Sequence, residues 1–376
     1  MIDTSDDALR MQRAVELLDA GVGTQHAGYQ VYASVHGSTL LDAAGGEARP
    51  GVEMDPTTIT LWFSSGKPVT AVAIAQLWER GLLGLDDRVV EYIPSFGAGK
   101  EDTTIRHVLT HTSGFPFADD SLHPGDWDAT VDVIARSPAL WAAGQAAGYH
   151  GTAGHIVLGE IVGVVDGRPI ATYAREEIFE PLAMGDSYVA LAPDDVVRLG
   201  ERLALIDDRA VRGSGLEFDQ FNSEPVLTAV SPGNTCRGPA RELGYLFDAL
   251  VGGGARSGRR ILQTTTVEAM IACHRRGLVD QTFAANNKRP HPRWGLESPW
   301  GLGVELDGNG DIGTLNSQRV FASSGAFSSV AFGDPESGLV GVIVTTGLLD
   351  LDANAARLGA AADAMNLAIG SGVADD

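Results

Sequence analysis

Lysine is scarce in this chain, with three residues against 24 arginines, and one of them, Lys67, stands three residues after Ser64 in the run Trp62-Phe63-Ser64-Ser65-Gly66-Lys67. A serine hydroxyl becomes a useful nucleophile only when a neighbouring base takes its proton. Desolvated lysine can act as that base, whereas arginine keeps its charge. An apolar run ends at Ser64, and Val69, Val72, Ala73 and Leu77 follow at helical spacing until Gly81 and Gly84 close the element. That pattern places Ser64 at a helix N-terminus, where free N–H groups and the positive dipole end favour developing negative charge. Lys67 then rises on the same face one turn on. Taken alone, the S-x-x-K spacing reads equally well as a capping serine followed by an exposed lysine.

Other candidate chemistry is thinner. His107 and His111 stand four apart, as two zinc ligands can, but the intervening residues lack the glutamate of a metalloprotease helix. His150 and His155 read as polar loop residues. Gly185-Asp186-Ser187 reads as a turn, and the absence of any G-x-S-x-G argues against an α/β-hydrolase. Ala98-Gly99-Lys100-Glu101 lacks the upstream glycine and following Ser/Thr of a phosphate loop, and no dinucleotide fingerprint occurs. Neither a metal nor a cofactor is expected.

Context decides between the two readings of Ser64. The chain resembles the serine β-lactamase and penicillin-recognising family, on the side of the class C enzymes and related esterases. WFSSGKPVTAVAIAQLWERGLLGLDDRVVEYIP resembles that family's nucleophile helix and the stretch after it. IRHVLTHTSGFP (105–116), YAREEIFEPLAMGDS (173–187), WGLG (300–303) and FASSGAFSSVAFGDPESGLVGVIVTT (321–346) resemble further family segments in the expected order. The resemblance implies Ser64 as nucleophile and Lys67 and Tyr149 as its proton-handling partners. It also implies an oxyanion hole from the N–H groups of Ser64 and Ala326. Where the family carries Y-x-N, this chain has Tyr149-His150-Gly151; where it carries K-T-G or H-T-G, this chain has Ser323-Ser324-Gly325. Gly151, Ser323, Ser324 and Gly325 are thus the expected substrate-contacting positions, without the amide and the cation of relatives. The implied activity is ester hydrolysis through a Ser64 acyl-enzyme on a small neutral ester or acyl donor. Alternatives are a biosynthetic transacylase, a D-peptidase or β-lactamase-type amidase, and a non-catalytic acyl-binding relative. Arg237 is a second candidate for the missing cation.

The elements that must position these residues are legible in outline. Residues 6–20 read as an amphipathic helix with Leu9, Met11, Val15 and Leu18 near one side. Residues 28–35 and 39–44 flank His36-Gly37-Ser38 as a hairpin. From 86 to 290 helix and loop mix. After Trp300, GLGVEL, RVFASSG, SSVAFG and LVGVIVTT read as strands, and LDANAARLGAAADAMNLAI as a closing helix. The expected fold is α/β: a β-lactamase-like antiparallel sheet flanked by helices. Residues 1–85 and 291–376 form it, and 86–290 make an inserted, mainly helical domain that carries the Tyr149 loop.

With 376 residues, 44% apolar and 20% charged, the chain can bury a large core and is not of disordered composition. A net charge of −22 disfavours nucleic acid and anionic membrane surfaces as partners. Two cysteines are too few for a disulfide framework. The acidic start, MIDTSDDALRMQRAVELLDAG, lacks the basic and apolar regions of a secretion signal, so a cytoplasmic location is expected.

Overall fold

Tyr29, Val31 and Ala33 alternate with Gln30, Tyr32 and Ser34 along one strand, and both sets are buried. A strand covered on both faces belongs at the centre of a layered sheet. The computed structural model describes residues 4–115, 125–207, 219–282, 297–306, 310–326 and 328–370, and it places this strand there. In chain order the strands are β1 (Gly28–Val35), β2 (Ser38–Arg49), β3 (Val52–Glu53), β4 (Thr60–Leu61), β5 (Arg237–Gly238), β6 (Ala255–Arg256), β7 (Arg259–Arg260), β8 (Phe321–Gly325), β9 (Ser329–Asp334) and β10 (Leu339–Thr345). Six form one antiparallel sheet in the order β3-β2-β1-β10-β9-β8, while β4 pairs with β5 and β6 with β7. The two ends of the chain therefore meet at the β1–β10 seam, where Tyr29 faces Thr345 and Val35 faces Leu339.

Five helices bear on the site: α1 (Thr4–Asp19), α2 (Lys67–Glu79), α3 (Ala153–Asp166), α4 (Ala240–Val251) and α5 (Leu351–Gly370). Helices α1 and α5 cover one face of the sheet, burying Met11, Leu18, Leu358 and Met365 against Val31, Phe332 and Ile343. Leu9, expected on the same side, has its side chain outside the described residues. On the other face α4 packs Leu243, Leu246 and Phe247 against Tyr32, Phe321 and Val342. The polar residues of β1 are satisfied there. The Tyr32 hydroxyl donates to Asp248 at 2.9 Å, and Gln30 Oε1 accepts from the Ala240 N–H at 2.8 Å. Helix α4 thus lies on the sheet, although its sequence falls within 86–290. Beyond it, α2 is buried from Lys67 to Leu77 and packs on α3, whose end is set by Gly167 at φ 88°.

One expected strand does not form. Residues 301–306 make only isolated bridges, from Glu305 to Trp300 and to Ala322. Gly303, at φ 80°, leaves the extended conformation, and it passes so close to α2 that a Cβ there would lie 2.4 Å from the Ala71 Cβ. The segment serves as a wedge under α2 instead of extending the sheet edge. Among the described residues no helix is long and apolar enough to cross a membrane.

Candidate active site

Ser64 lies on a single 3-10 turn, Phe63–Gly66, that runs directly into α2, whose N-cap is Gly66. The serine therefore precedes the α-helix by one turn and does not open it as expected. The turn is reached through an unusual backbone: Phe63 has φ 49°, a left-handed conformation that bulky residues rarely adopt. Such strain persists only where the surroundings over-determine it. Here the Phe63 ring stands edge-on to Phe221 at 5.0 Å, and hydroxyls tie the turn to the sheet edge. Ser329 Oγ donates to Trp62 O at 2.7 Å, Ser323 Oγ to Ser64 O at 2.7 Å, and Ser65 Oγ to Ser323 O at 2.9 Å. Gly325 permits this approach, since a Cβ there would lie 2.4 Å from Trp62 O and 2.2 Å from Ser329 Oγ.

These bonds define what the substituted third motif does. The Ser323 hydroxyl is committed to the Ser64 carbonyl. Ser324 turns to Glu305, which accepts its N–H at 3.2 Å and its hydroxyl at 3.4 Å. Ala326 follows, half-buried against the cluster of Leu61, Phe63, Ile206 and Leu348.

Two groups converge on Ser64. Lys67 is 2% exposed, and its Nζ donates to Ser64 Oγ at 2.7 Å and to Gly233 O at 2.6 Å. Tyr149 arrives from the helical region and places its hydroxyl 2.9 Å from the same Oγ. The Lys67 ammonium stands 5.3 Å from the centre of the Tyr149 ring. Gly151 and Gly233 pass each other behind this pair. A Cβ on Gly233 would lie 2.5 Å from Gly151 O, and one on Gly151 would lie 2.8 Å from Tyr149 Cε1. An asparagine at 151 would therefore collide with the tyrosine as it stands here. Sequence reasoning missed Gly233: a backbone carbonyl has no residue-type signature, and only the turn-forming Ser231-Pro232-Gly233-Asn234 could have marked the spot.

The floor beneath Tyr149 is a set of buried imidazoles. Burial pushes His150 down to about 3 and holds His111 and His155 well below the usual histidine range, with the Lys67 charge acting in the same direction on all three. They are neutral at physiological pH. His111 Nδ1 and His150 Nδ1 share a hydrogen bond of 2.8 Å, and the His111 ring lies 4.7 Å from that of Tyr149. His107 diverges from them, since its Nδ1 accepts from Thr104 N–H in a helix cap. No group of His, Cys, Asp or Glu among the described residues is arranged to hold a metal. Arg237 is 1% exposed, with Nε and Nη2 unpartnered among the described residues, and burial lowers it to about 10. Cys236 is buried, its thiol pushed up to about 12 by desolvation. Ser187 donates to Glu242 at 2.6 Å, which fixes the 185–187 turn.

The family profile described as Beta-lactamase matches residues 13–365. The chain is 25% identical over 359 residues to "Esterase/beta-lactamase LipL" of Mycobacterium tuberculosis (strain ATCC 25618 / H37Rv), covering 87% of this chain and 79% of that protein. Among solved structures it is similar to a penicillin-binding protein homologue from Caulobacter crescentus, at TM-score 0.77 and 27% identity, over 95% of this chain and 97% of the other. It also shares its fold with a family VIII carboxylesterase, at TM-score 0.79 and 22% identity, over 95% and 97% of the two chains.

Proposed function

The chain belongs to the β-lactamase family, and on that premise we propose that it is a serine hydrolase that acylates Ser64 and releases the acyl group to water, with a small neutral ester as substrate. The observation that carries this reading is the convergence of Lys67 Nζ and Tyr149 Oη on Ser64 Oγ, at 2.7 and 2.9 Å. In this reading Tyr149, its phenolate favoured by the adjacent ammonium, takes the serine proton as Oγ attacks the ester carbonyl. The N–H groups of Ser64 and Ala326 receive the developing oxyanion; backbone donors need no particular side chain. Tyr149 then returns the proton to the leaving alcohol, and water repeats the sequence on the acyl-enzyme.

The preference for neutral esters rests on what the site lacks beside the serine. Gly151 offers no amide to an amide substrate, and Ser323 offers neither cation nor a spare hydroxyl hydrogen. A carboxylate bound there would be desolvated without a compensating charge. Esterase and β-lactamase both stand in the name of LipL, and the esterase half is the one these substitutions support.

Intact mass after reaction with p-nitrophenyl esters tests the nucleophile. Wild type gains one acyl group at Ser64, and Ser64→Ala gains none while keeping its fold. Full esterase activity in a folded Ser64→Ala protein would falsify the assignment. A matched pair of esters, one bearing a carboxylate and one methylated, tests the preference: faster kcat/KM for the charged member overturns it and points to Arg237. Adding an amine or alcohol acceptor to the same assay separates hydrolysis from acyl transfer.

A further inference from the structure

The loop that brings Tyr149 to Ser64 has no regular structure beyond one bridge, from Ala147 to Asp280. Its geometry is held from outside. Asp280 Oδ1 accepts the Tyr149 N–H at 3.1 Å and the Thr282 N–H at 3.1 Å, while Thr282 Oγ1 donates to Tyr149 O at 3.1 Å. Gln281 N–H donates to Ala147 O at 2.8 Å. Three consecutive residues thus grip both backbone polar groups of the tyrosine and the carbonyl two residues before it.

That grip is anchored by a buried ion pair. Arg275 and Asp280 side chains are 0% and 1% exposed, with Arg275 Nη1 3.2 Å from Asp280 Oδ2. Arg275 also donates through Nε to Ser298 O at 2.8 Å and through Nη1 to Thr110 O at 3.1 Å. Its guanidinium lies 5.1 Å over the Trp300 ring. Trp300 in turn meets His111 edge-on at 4.6 Å, and His111 packs on Tyr149. One cation therefore fixes the tyrosine's backbone through Asp280 and its ring through Trp300 and His111. A buried ion pair is a poor choice for stability alone, since well-packed apolar residues often serve as well or better. Its worth here lies in direction.

We propose that Asp280, anchored by Arg275, is a positioning residue that sets Tyr149 over Ser64; this rests on the role given to Tyr149 above. Asp280 touches no reacting atom and acts only through the tyrosine.

The test measures kcat and KM with a p-nitrophenyl ester, together with the acylation rate of Ser64 by mass, on variants whose fold is checked by circular dichroism. Asp280→Ala lowers kcat by about 10–100-fold with KM changed less than about threefold, the range expected for a misplaced catalytic group. In a Tyr149→Phe background, Asp280→Ala costs nothing further, because the group it positions is already gone. Thr282→Val removes only the bond to Tyr149 O, so it decides the matter if Asp280→Ala fails to fold: a kcat loss of about two- to fivefold, again absent in Tyr149→Phe, is expected. Full kcat in both folded variants, or an equal loss with and without the Tyr149 hydroxyl, overturns the proposal. Wild-type acylation in Tyr149→Phe alone overturns instead the role assigned to the tyrosine.

Discussion

The packing under α1 and α5 and the surroundings of Ser64 are built from different materials. Under α1 and α5 the interior is mainly apolar, from Met11 and Leu18 through Val31, Phe332 and Ile343 to Leu358 and Met365, with Asn354 and Arg357 of α5 buried among their own hydrogen-bond partners. Around Ser64, by contrast, Lys67, His111, His150, His155, Arg275 and Asp280 are all buried within one neighbourhood. The apolar face can tolerate repacking so long as volume is kept. The polar seam cannot, because each group's partner is specific and an orphaned one is costly. Stability and chemistry are thereby divided between two regions of the molecule, and substitutions should separate them.

The sharpest separation comes from the seam. Lys67→Arg and Tyr149→Phe should each lower kcat/KM by roughly 10²–10⁴-fold, the range of general acid–base catalysis, while circular dichroism reports a native fold. Because the two serve one proton transfer, the double variant should lose little more than either single one. Additive losses would show that they act separately.

The apolar face should give the opposite result. Leu358→Ala, at a fully buried position, should cost about 2–5 kcal/mol in chemical denaturation and leave kcat of the folded protein unchanged. A variant that lost activity in proportion to stability would erase the distinction.

The smallest expected effect is on pH dependence. His155 is held neutral in the fold well below its ordinary range, so the unfolded chain binds its proton first as pH falls. Stability must then decline from about pH 6.5 downward, by about 1.4 kcal/mol per pH unit for each such histidine. Glu242, raised by burial to about 7, opposes this: its contribution grows as pH falls through 7. His155→Leu should flatten the acid limb of stability against pH by one proton's worth between pH 6 and 4.5. An unchanged slope would mean that His155 is not buried neutral.

The same division explains what could be read from the sequence. The apolar strands β9 and β10 are visible as runs, and the final helix as a periodic face, because burial writes itself into residue type every two or every three to four positions. Ser64 and Lys67 are visible because their partnership is local, three residues apart. Tyr149 is found only through the family resemblance. Gly233 leaves only a turn sequence and Asp280 no local trace: they lie 166 residues from Lys67 and 131 from Tyr149, and the bonds they make there are to or from the backbone. Residues 301–306 mislead in the other direction. Their alternation suits a strand, but Gly303 takes a φ of 80°, outside the extended range, and interrupts it.

The seam between β1 and β10 has a consequence for how the protein is made. Gly28 N–H donates to Thr346 Oγ1 across 318 residues of intervening chain. Translation at about 5–20 residues per second therefore separates the two strands by roughly 15–60 s. For that interval the nascent β1–β2 hairpin presents an unpaired edge, and α1 alone can cover the row of Tyr29, Val31 and Ala33, since α5 and β10 have yet to leave the ribosome. The sheet cannot close cotranslationally from its N-terminal half. Chaperone occupancy on ribosome-bound chains should accordingly rise once β1 emerges and fall only after residue 346 clears the exit tunnel.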